Sequence, residues 1–217
     1  MTQMTLSAIL LVIGALAYLT SGILIVRALR RPEGRAPAGL RTLALAGFVL
    51  HCAGVATEMF FGDLIHFGFG MAVSAMLLIA VAITLTESYV HRLNALTGTV
   101  LIIAAAGSVL PVVFPGTTYP TEAWSMLFRV HLLAALAAYS FMTIAVVQAI
   151  FLMRMDHALK YPLKALETPA NAGLLSNMPN LMAMERILFR IIACGFVCLT
   201  LVLILGALAT MQSHGVP

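Results

Sequence analysis

The sequence has few charged residues and little of the polar surface that a soluble protein needs. Of its 217 residues, only 9% are charged and 62% are hydrophobic, and the mean hydropathy is +1.05. Soluble chains carry about 25% charged residues. This composition therefore excludes a soluble domain and indicates a polytopic membrane protein.

The sequence also lacks the motifs of common enzymes and of nucleic-acid-binding proteins. It contains no phosphate-binding loop, no nucleophile beside a base, no zinc-spaced cluster and no paired catalytic carboxylates. The net charge of +4 comes from arginines and lysines gathered in particular loops, which is typical of residues that set membrane orientation. We therefore expect neither an independent catalytic activity nor nucleic acid as a partner.

Cysteine and tryptophan are scarce. Cys52, Cys194 and Cys198 all fall in apolar segments, where we expect small buried side chains rather than a redox or metal site. The single tryptophan, Trp124, suits a membrane interface. The N-terminus lacks the basic start and cleavage pattern of a signal peptide, so we expect the first apolar segment to be a retained helix.

Six apolar segments are long enough to cross a bilayer, which takes about 20 helical residues. The sequence therefore predicts an all-α fold, a single membrane domain over residues 1–217 that forms a bundle of six transmembrane helices. The predicted helices cover residues 5–26, 42–61, 67–86, 97–114, 124–153 and 185–210. Glycine- or proline-containing turns separate several of them.

The basic residues predict the orientation of this bundle. All arginines and lysines except Arg129 lie in the loops that follow the first, third and fifth helices. Because cytoplasmic loops carry the excess of such residues, we expect both termini outside and these three loops in the cytoplasm.

Two histidines and an arginine fall in the apolar helices, where ionisable side chains are costly and often functional. His51 lies near the middle of the second helix, and His131 follows Arg129 by two residues in the outer half of the fifth. One interpretation makes His51 and His131 ligands of a haem iron held between helices 2 and 5, because neutral imidazole suits iron. Arg129 would then neutralise a haem propionate.

The alternative interpretation gives these residues structural roles. The two histidines would hydrogen-bond across the bundle, to Glu58 or to polar residues such as Tyr139 and Ser140. Arg129 would extend toward the lipid headgroups or pair with Glu58. One face of the fifth helix would either hold a flat ligand or pack against a neighbouring helix; its residues are Trp124, Phe128, His131, Ala135, Ala138 and Met142.

The other histidines lie in predicted loops or near the chain end, where we expect solvated side chains; they are His66, His91, His157 and His214. Gly47 and Gly54 flank His51 on its helix face. Glycines at such positions allow a backbone or a planar group to come close to the helix.

The last third of the chain carries a more specific pattern. The sixth helix and its lead-in read NMPNLMAMERILFRIIACGFVCLTLVLILG, with Glu-Arg, Leu-Phe, Gly-Phe and Leu-Thr pairs before a late glycine; these are Glu185, Arg186, Leu188, Phe189, Gly195, Phe196, Leu199, Thr200 and Gly206. In the fifth helix, a histidine precedes a small-residue and Ala-Tyr stretch and then a basic loop. Both segments resemble CcsA- and HemX-type membrane proteins of the cytochrome c assembly family. The most similar branch is the bacterial inner-membrane one that lacks the tryptophan-rich haem-delivery loop.

This resemblance implies haem handling in the bacterial inner membrane, with haem b bound between helices 2 and 5. His131 corresponds to the outer histidine that serves the haem site in haem-delivery members, and His51 falls where this branch carries a histidine. The expected partners are the lipid bilayer, haem and another membrane protein. The alternative function is a non-catalytic accessory or regulatory subunit of another membrane protein, such as an ion transporter. A cytochrome that passes electrons to quinone ranks last, because it usually has two histidine pairs.

Overall fold

The fold is a bundle of six membrane-length helices. The computed structural model describes residues 2–30, 37–59, 64–91, 94–120, 124–160 and 181–213. The helices are α1 (Thr2–Leu29), α2 (Ala38–Met59), α3 (Phe69–His91), α4 (Asn94–Val113), α5 (Met126–Lys160) and α6 (Leu181–Ser213). Each is long and apolar enough to cross a membrane, which confirms the predicted all-α polytopic membrane protein.

Most of the helices run past their predicted ends. The predicted ends mark the apolar stretch that crosses the hydrocarbon core of the bilayer. The observed helices continue into polar flanking residues at the membrane surface. Thus α3 continues to His91, and α5 continues to Lys160, whose ammonium lies 2.7 Å from the carboxylate of Asp156. The predicted end of the second helix at Phe61 lies outside the described residues. Four of the eleven loop cations behind the predicted orientation also lie outside the described residues; they are Arg31, Arg35, Arg92 and Lys164. The orientation stays a prediction.

A short sheet, which the sequence did not predict, lies at one end of the bundle. Strand β1 (Leu64–Phe67) follows α2, and β2 (Thr117–Pro120) follows α4; they pair antiparallel, with Ile65 opposite Tyr119. Gly116, just before β2, has a positive φ of 74°, which glycine adopts without strain. Pairing these two connections satisfies backbone groups that would otherwise face the edge of the apolar region. This end, called the sheet end below, is the predicted outer side.

The helices pack in the order α2, α1, α4, α3, α5 and α6, and α3 also contacts α2. The α6 helix packs chiefly on α5, so many of its apolar side chains are exposed, as expected for a surface that meets lipid. The prediction that the cysteines are buried was wrong. Cys52 and Cys194 are exposed and Cys198 is partly exposed, because their helix faces point away from the bundle.

Helices α1 and α4 approach each other closely at Gly22 and Gly98. A Cβ atom added to Gly22 would lie 2.8 Å from the backbone oxygen of Gly98 and 2.9 Å from Ile102. Because a backbone oxygen cannot move aside without moving α4, any side chain at position 22 must separate the two helices.

We therefore expect Gly22→Ala to lower the free energy of unfolding by about 1–3 kcal/mol, the usual cost of overpacking. Gly39→Ala is the matched control, because no atom lies within 4 Å of the added Cβ. The control is expected to leave stability unchanged or to raise it by up to about 1 kcal/mol. Thermal unfolding in detergent measures both. Equal melting temperatures for the two variants would contradict the close approach of α1 and α4.

Candidate functional site

His51 is fully buried among α1, α2 and α3. Its Nε2 lies 2.8 Å from the hydroxyl oxygen of Ser74 on α3, and the two share a hydrogen bond. The ring of Tyr18 on α1 meets the imidazole edge to face, with centroids 5.7 Å apart. His51 Nδ1 and the Tyr18 hydroxyl are buried, and neither has a hydrogen-bond partner among the described residues. His51 therefore joins three helices through one polar and one aromatic contact.

The glycines that flank His51 are in contact with α1. A Cβ added to Gly47 would lie 3.0 Å from the Tyr18 ring, and one added to Gly54 would lie 2.8 Å from the Leu11 side chain. The space that these glycines leave on α2 is thus already filled by side chains of α1. At these two positions α1, rather than a planar ligand, lies against α2.

His131 lies on the other side of the bundle, where α5 packs against α6. Its Nδ1 is 3.1 Å from the backbone oxygen of Val202, and a Cβ added to Gly206 would come within 3.3 Å of its Cε1. Because a carbonyl oxygen can only accept, Nδ1 carries the proton and the neutral ring keeps its lone pair on Nε2. Within the described part of the chain, no group bonds to that Nε2.

Part of the predicted ligand face of α5 packs against α6. Gly195 of α6 lies against the side chains of Phe141 and Met142, and His131 contacts α6 closer to the sheet end. These contacts agree with the second role that helical spacing allowed for this face, which is packing against a neighbouring helix. It also gives His131 a partner on α6 rather than on α2.

Arg129 lies on a different side of α5 from His131. The two residues are two positions apart in sequence, which corresponds to a rotation of about 200° around an α-helix. The Arg129 Nε donates to the backbone oxygen of Trp124 at 3.2 Å, and the side chain lines a cleft between α2, α3 and α5. The structure thus places the three predicted residues apart: His51 in the core, His131 against α6 and Arg129 at the cleft. Within the described ranges, no hydrogen bond or ring contact joins the two imidazoles.

The cleft has a volume of about 460 Å³ and lies near the sheet end. Its walls are apolar side chains of the three helices together with Ile65 of β1; the Trp124 indole and the Arg129 guanidinium complete it. Trp124 is held by edge-to-face contacts with Phe67 and Phe128, at 5.3 and 5.2 Å between centroids. Neither histidine is among the lining residues, so the cleft and the histidines are separate features.

Glu58 of α2 links strand β1 to helix α1. Its carboxylate accepts a hydrogen bond from the hydroxyl of Ser7 on α1 and lies 3.2 Å from His66 Nδ1 on β1. The predicted partner of Glu58, Arg129, is not the one found.

His66 was expected to be solvated, but only 25% of its side chain is exposed. His157 is exposed as expected, whereas the His91 side chain and His214 lie outside the described residues.

We expect Glu58→Ala to lower the free energy of unfolding by about 1–3 kcal/mol, because Ser7 and His66 both lose a partly buried charged partner. Glu58→Gln keeps an acceptor for Ser7, so its loss should be smaller. Glu185→Ala, at an exposed position on α6, is the matched control and should change stability by less than about 0.5 kcal/mol. Denaturant unfolding in detergent measures all three. If Glu58→Ala were as stable as the control, the carboxylate would not hold the sheet.

The sequence analysis did not identify which polar groups pair across the helices. Ser74 bonds to His51, and Ser140 donates to the backbone oxygen of Met76 at 2.6 Å. Gln148, fully buried on α5, donates to the backbone oxygen of Met184 at 3.3 Å. Amides and hydroxyls inside apolar helices are the signal that marks such contacts. Over the described residues, no group of three or more His, Cys, Asp or Glu side chains is arranged to hold a metal ion.

The comparison with protein families gives one match. The family model described as "Cytochrome C assembly protein" matches residues 40–210, from α2 through most of α6. The chain belongs to the cytochrome c assembly protein family. This membership supports a haem-handling role in cytochrome c maturation. No curated protein and no solved structure matches the chain at a significant level.

Proposed function

We propose that this protein binds haem within the bacterial inner membrane as cargo for cytochrome c assembly, and that His131 is the iron ligand. The observation that carries the proposal is the hydrogen bond from His131 Nδ1 to the Val202 oxygen. This bond leaves the Nε2 lone pair available in the neutral ring, the state in which imidazole binds iron. Iron-ligating histidines usually donate their other N–H group to a carbonyl or carboxylate in this way.

The other predicted ligand, His51, fits haem less well. Its Nε2 already bonds to Ser74, and α1 fills the glycine-lined face beside it. An iron bound at His51 Nε2 would break the Ser74 bond, and a haem on the glycine-lined face of α2 would require α1 to withdraw. We therefore propose that haem binding depends on His131. Arg129 is not part of the proposal, because it lies on the opposite side of α5.

The alternative function, an accessory subunit of another membrane protein, has no specific support in the described residues. The exposed apolar side chains of α6, such as Phe196 and Leu203, would meet lipid as readily as a partner. The two functions differ in a simple property, because only haem binding gives the purified protein a colour.

The test is an absorption spectrum of the protein purified in mild detergent from haem-replete cells, recorded oxidised and then reduced. We expect a Soret band, and a stoichiometric Soret increase when haem is added to protein purified with little of it. A colourless protein that also fails to take up added haem would overturn the proposal. Sharp α and β bands on reduction would indicate a second strong iron ligand, and His51 would then be a candidate for that ligand.

A further inference from the structure

Helix α6 is buried in the bundle along only one half of its length. From Phe196 to Met211, the half at the sheet end, no residue is buried. The buried residues of α6 all lie before this stretch; they are Met184, Ile187, Ile191 and Gly195. Ile187 and Ile191 belong to the main hydrophobic core, together with residues of α1, α3, α4 and α5. Because segments with few buried apolar contacts open at the lowest cost, the sheet-end half of α6 separates from the bundle most easily.

Polar contacts also hold the other half of α6. Gln148 of α5 donates to the backbone oxygen of Met184 at 3.3 Å, and the Arg190 guanidinium lies 2.5 Å from the carboxylate of Glu87 on α3. These contacts join α6 to two different helices close to its buried isoleucines. The attachment of α6 therefore weakens along the helix toward the sheet end.

His131 lies at the weakly attached end. The Val202 oxygen that accepts its Nδ1 proton and the glycine beside its ring, Gly206, both belong to the unburied stretch of α6. Gly195 is the last buried residue before that stretch, and glycine inside a helix weakens it relative to alanine. A bend near Gly195 would thus move the Val202 oxygen away from His131 without disturbing the core.

We propose that the sheet-end half of α6 is a clasp that closes on His131 and opens about Gly195. The closed clasp places the Val202 oxygen on Nδ1–H, and the open clasp removes this acceptor. Loss of such a hydrogen-bond partner lowers the metal affinity of a ligand by about 10- to 100-fold. The clasp would therefore regulate the release of haem. That consequence rests on the haem-binding function proposed above, whereas the movement itself does not.

The movement is measured with pairs of spin labels between α1 and α6. The three cysteines are replaced by alanine, and the protein is reconstituted in lipid nanodiscs. Ile9→Cys with Leu203→Cys reports on the sheet-end half, and Leu24→Cys with Phe189→Cys is the matched pair for the other half; all four side chains are exposed. In haem-free protein we expect a broad or two-peaked distance distribution for the first pair and a narrow one for the second.

Haem should reduce the first pair to a single distance, because a ligand favours the state that binds it more tightly. Gly195→Ala should have the opposite effect, since the added Cβ would lie 3.1 Å from the Phe141 Cβ and press α6 away from α5. We expect this variant to broaden the first pair and to transfer haem to excess apomyoglobin about tenfold faster. Ala193→Val, at an exposed position on α6, is the control and should change neither.

The outcomes separate the clasp from haem binding. A narrow distribution for both pairs in haem-free protein would overturn the clasp, and equal broadening of both would mean that α6 moves as a whole. Haem that gives a Soret band but leaves the first pair unchanged would contradict the regulation of release. A protein that takes up no haem would overturn the proposed function, and the haem-free distances would still decide whether the clasp moves.

Discussion

Replacement of His131 by alanine is expected to reduce the haem bound per protein by more than about tenfold. Loss of a group that only hydrogen-bonds to a metal ligand often costs about 10- to 100-fold in metal affinity, and this change removes the ligand itself. The side chain is only partly buried, so the fold should persist. Haem content is measured as Soret absorbance per protein after purification from haem-replete cells.

Two further variants test whether the ring's position matters as well as its presence. A side chain at Gly206 would begin 3.3 Å from His131 Cε1, so Gly206→Leu should displace the ring and lower haem content, whereas Gly206→Ala should have a small effect. His157→Ala, an exposed histidine near the other end of α5, should retain full haem content. Equal haem in His131→Ala and His157→Ala would contradict the ligand assignment.

Replacement of His51 by alanine is expected to destabilise the protein while leaving haem bound. The imidazole is fully buried, so its removal leaves a cavity that costs about 2–4 kcal/mol. The Ser74 hydroxyl also loses its partner. Ser74→Ala alone should cost less, about 0.6–1.7 kcal/mol, which is typical of hydrogen bonds between membrane helices.

The double variant isolates the contact between α2 and α3. Because each single change already breaks the same hydrogen bond, His51→Ala with Ser74→Ala should cost less than the sum of the two. Unfolding followed by Trp124 fluorescence in detergent gives the three free energies. Strict additivity would show that the two side chains do not interact in the folded protein. A His51→Ala protein that is stable but colourless would instead make His51 an iron ligand.

The six helices could be predicted from the sequence because the bilayer fixes the length and composition of a crossing segment. The two strands could not be predicted in this way. Each has only four residues, and β1 and β2 are separated in sequence by two helices. The strands pair because the bundle brings the two connections to the same end. No local sequence pattern predicts that arrangement.

The sequence indicated individual candidate residues but not their arrangement. Helical spacing tells which side chains share a face, yet it does not say which helix lies opposite. The partner of His131, Val202, is 71 residues away, and the hydroxyl beside His51 comes from α3 rather than α5. The glycines near His51 allowed either a backbone or a planar group to come close, and α1 fills that space. Small residues serve both purposes in membrane helices, so only the packing distinguishes them.

The central claim is that haem binding depends on His131 and not on His51. The most direct measurement is the haem content per protein of the wild type, His51→Ala and His131→Ala, purified side by side from haem-replete cells. We predict similar haem content for the wild type and His51→Ala, and nearly none for His131→Ala. Haem retained in His131→Ala, or lost only in His51→Ala, would contradict the claim.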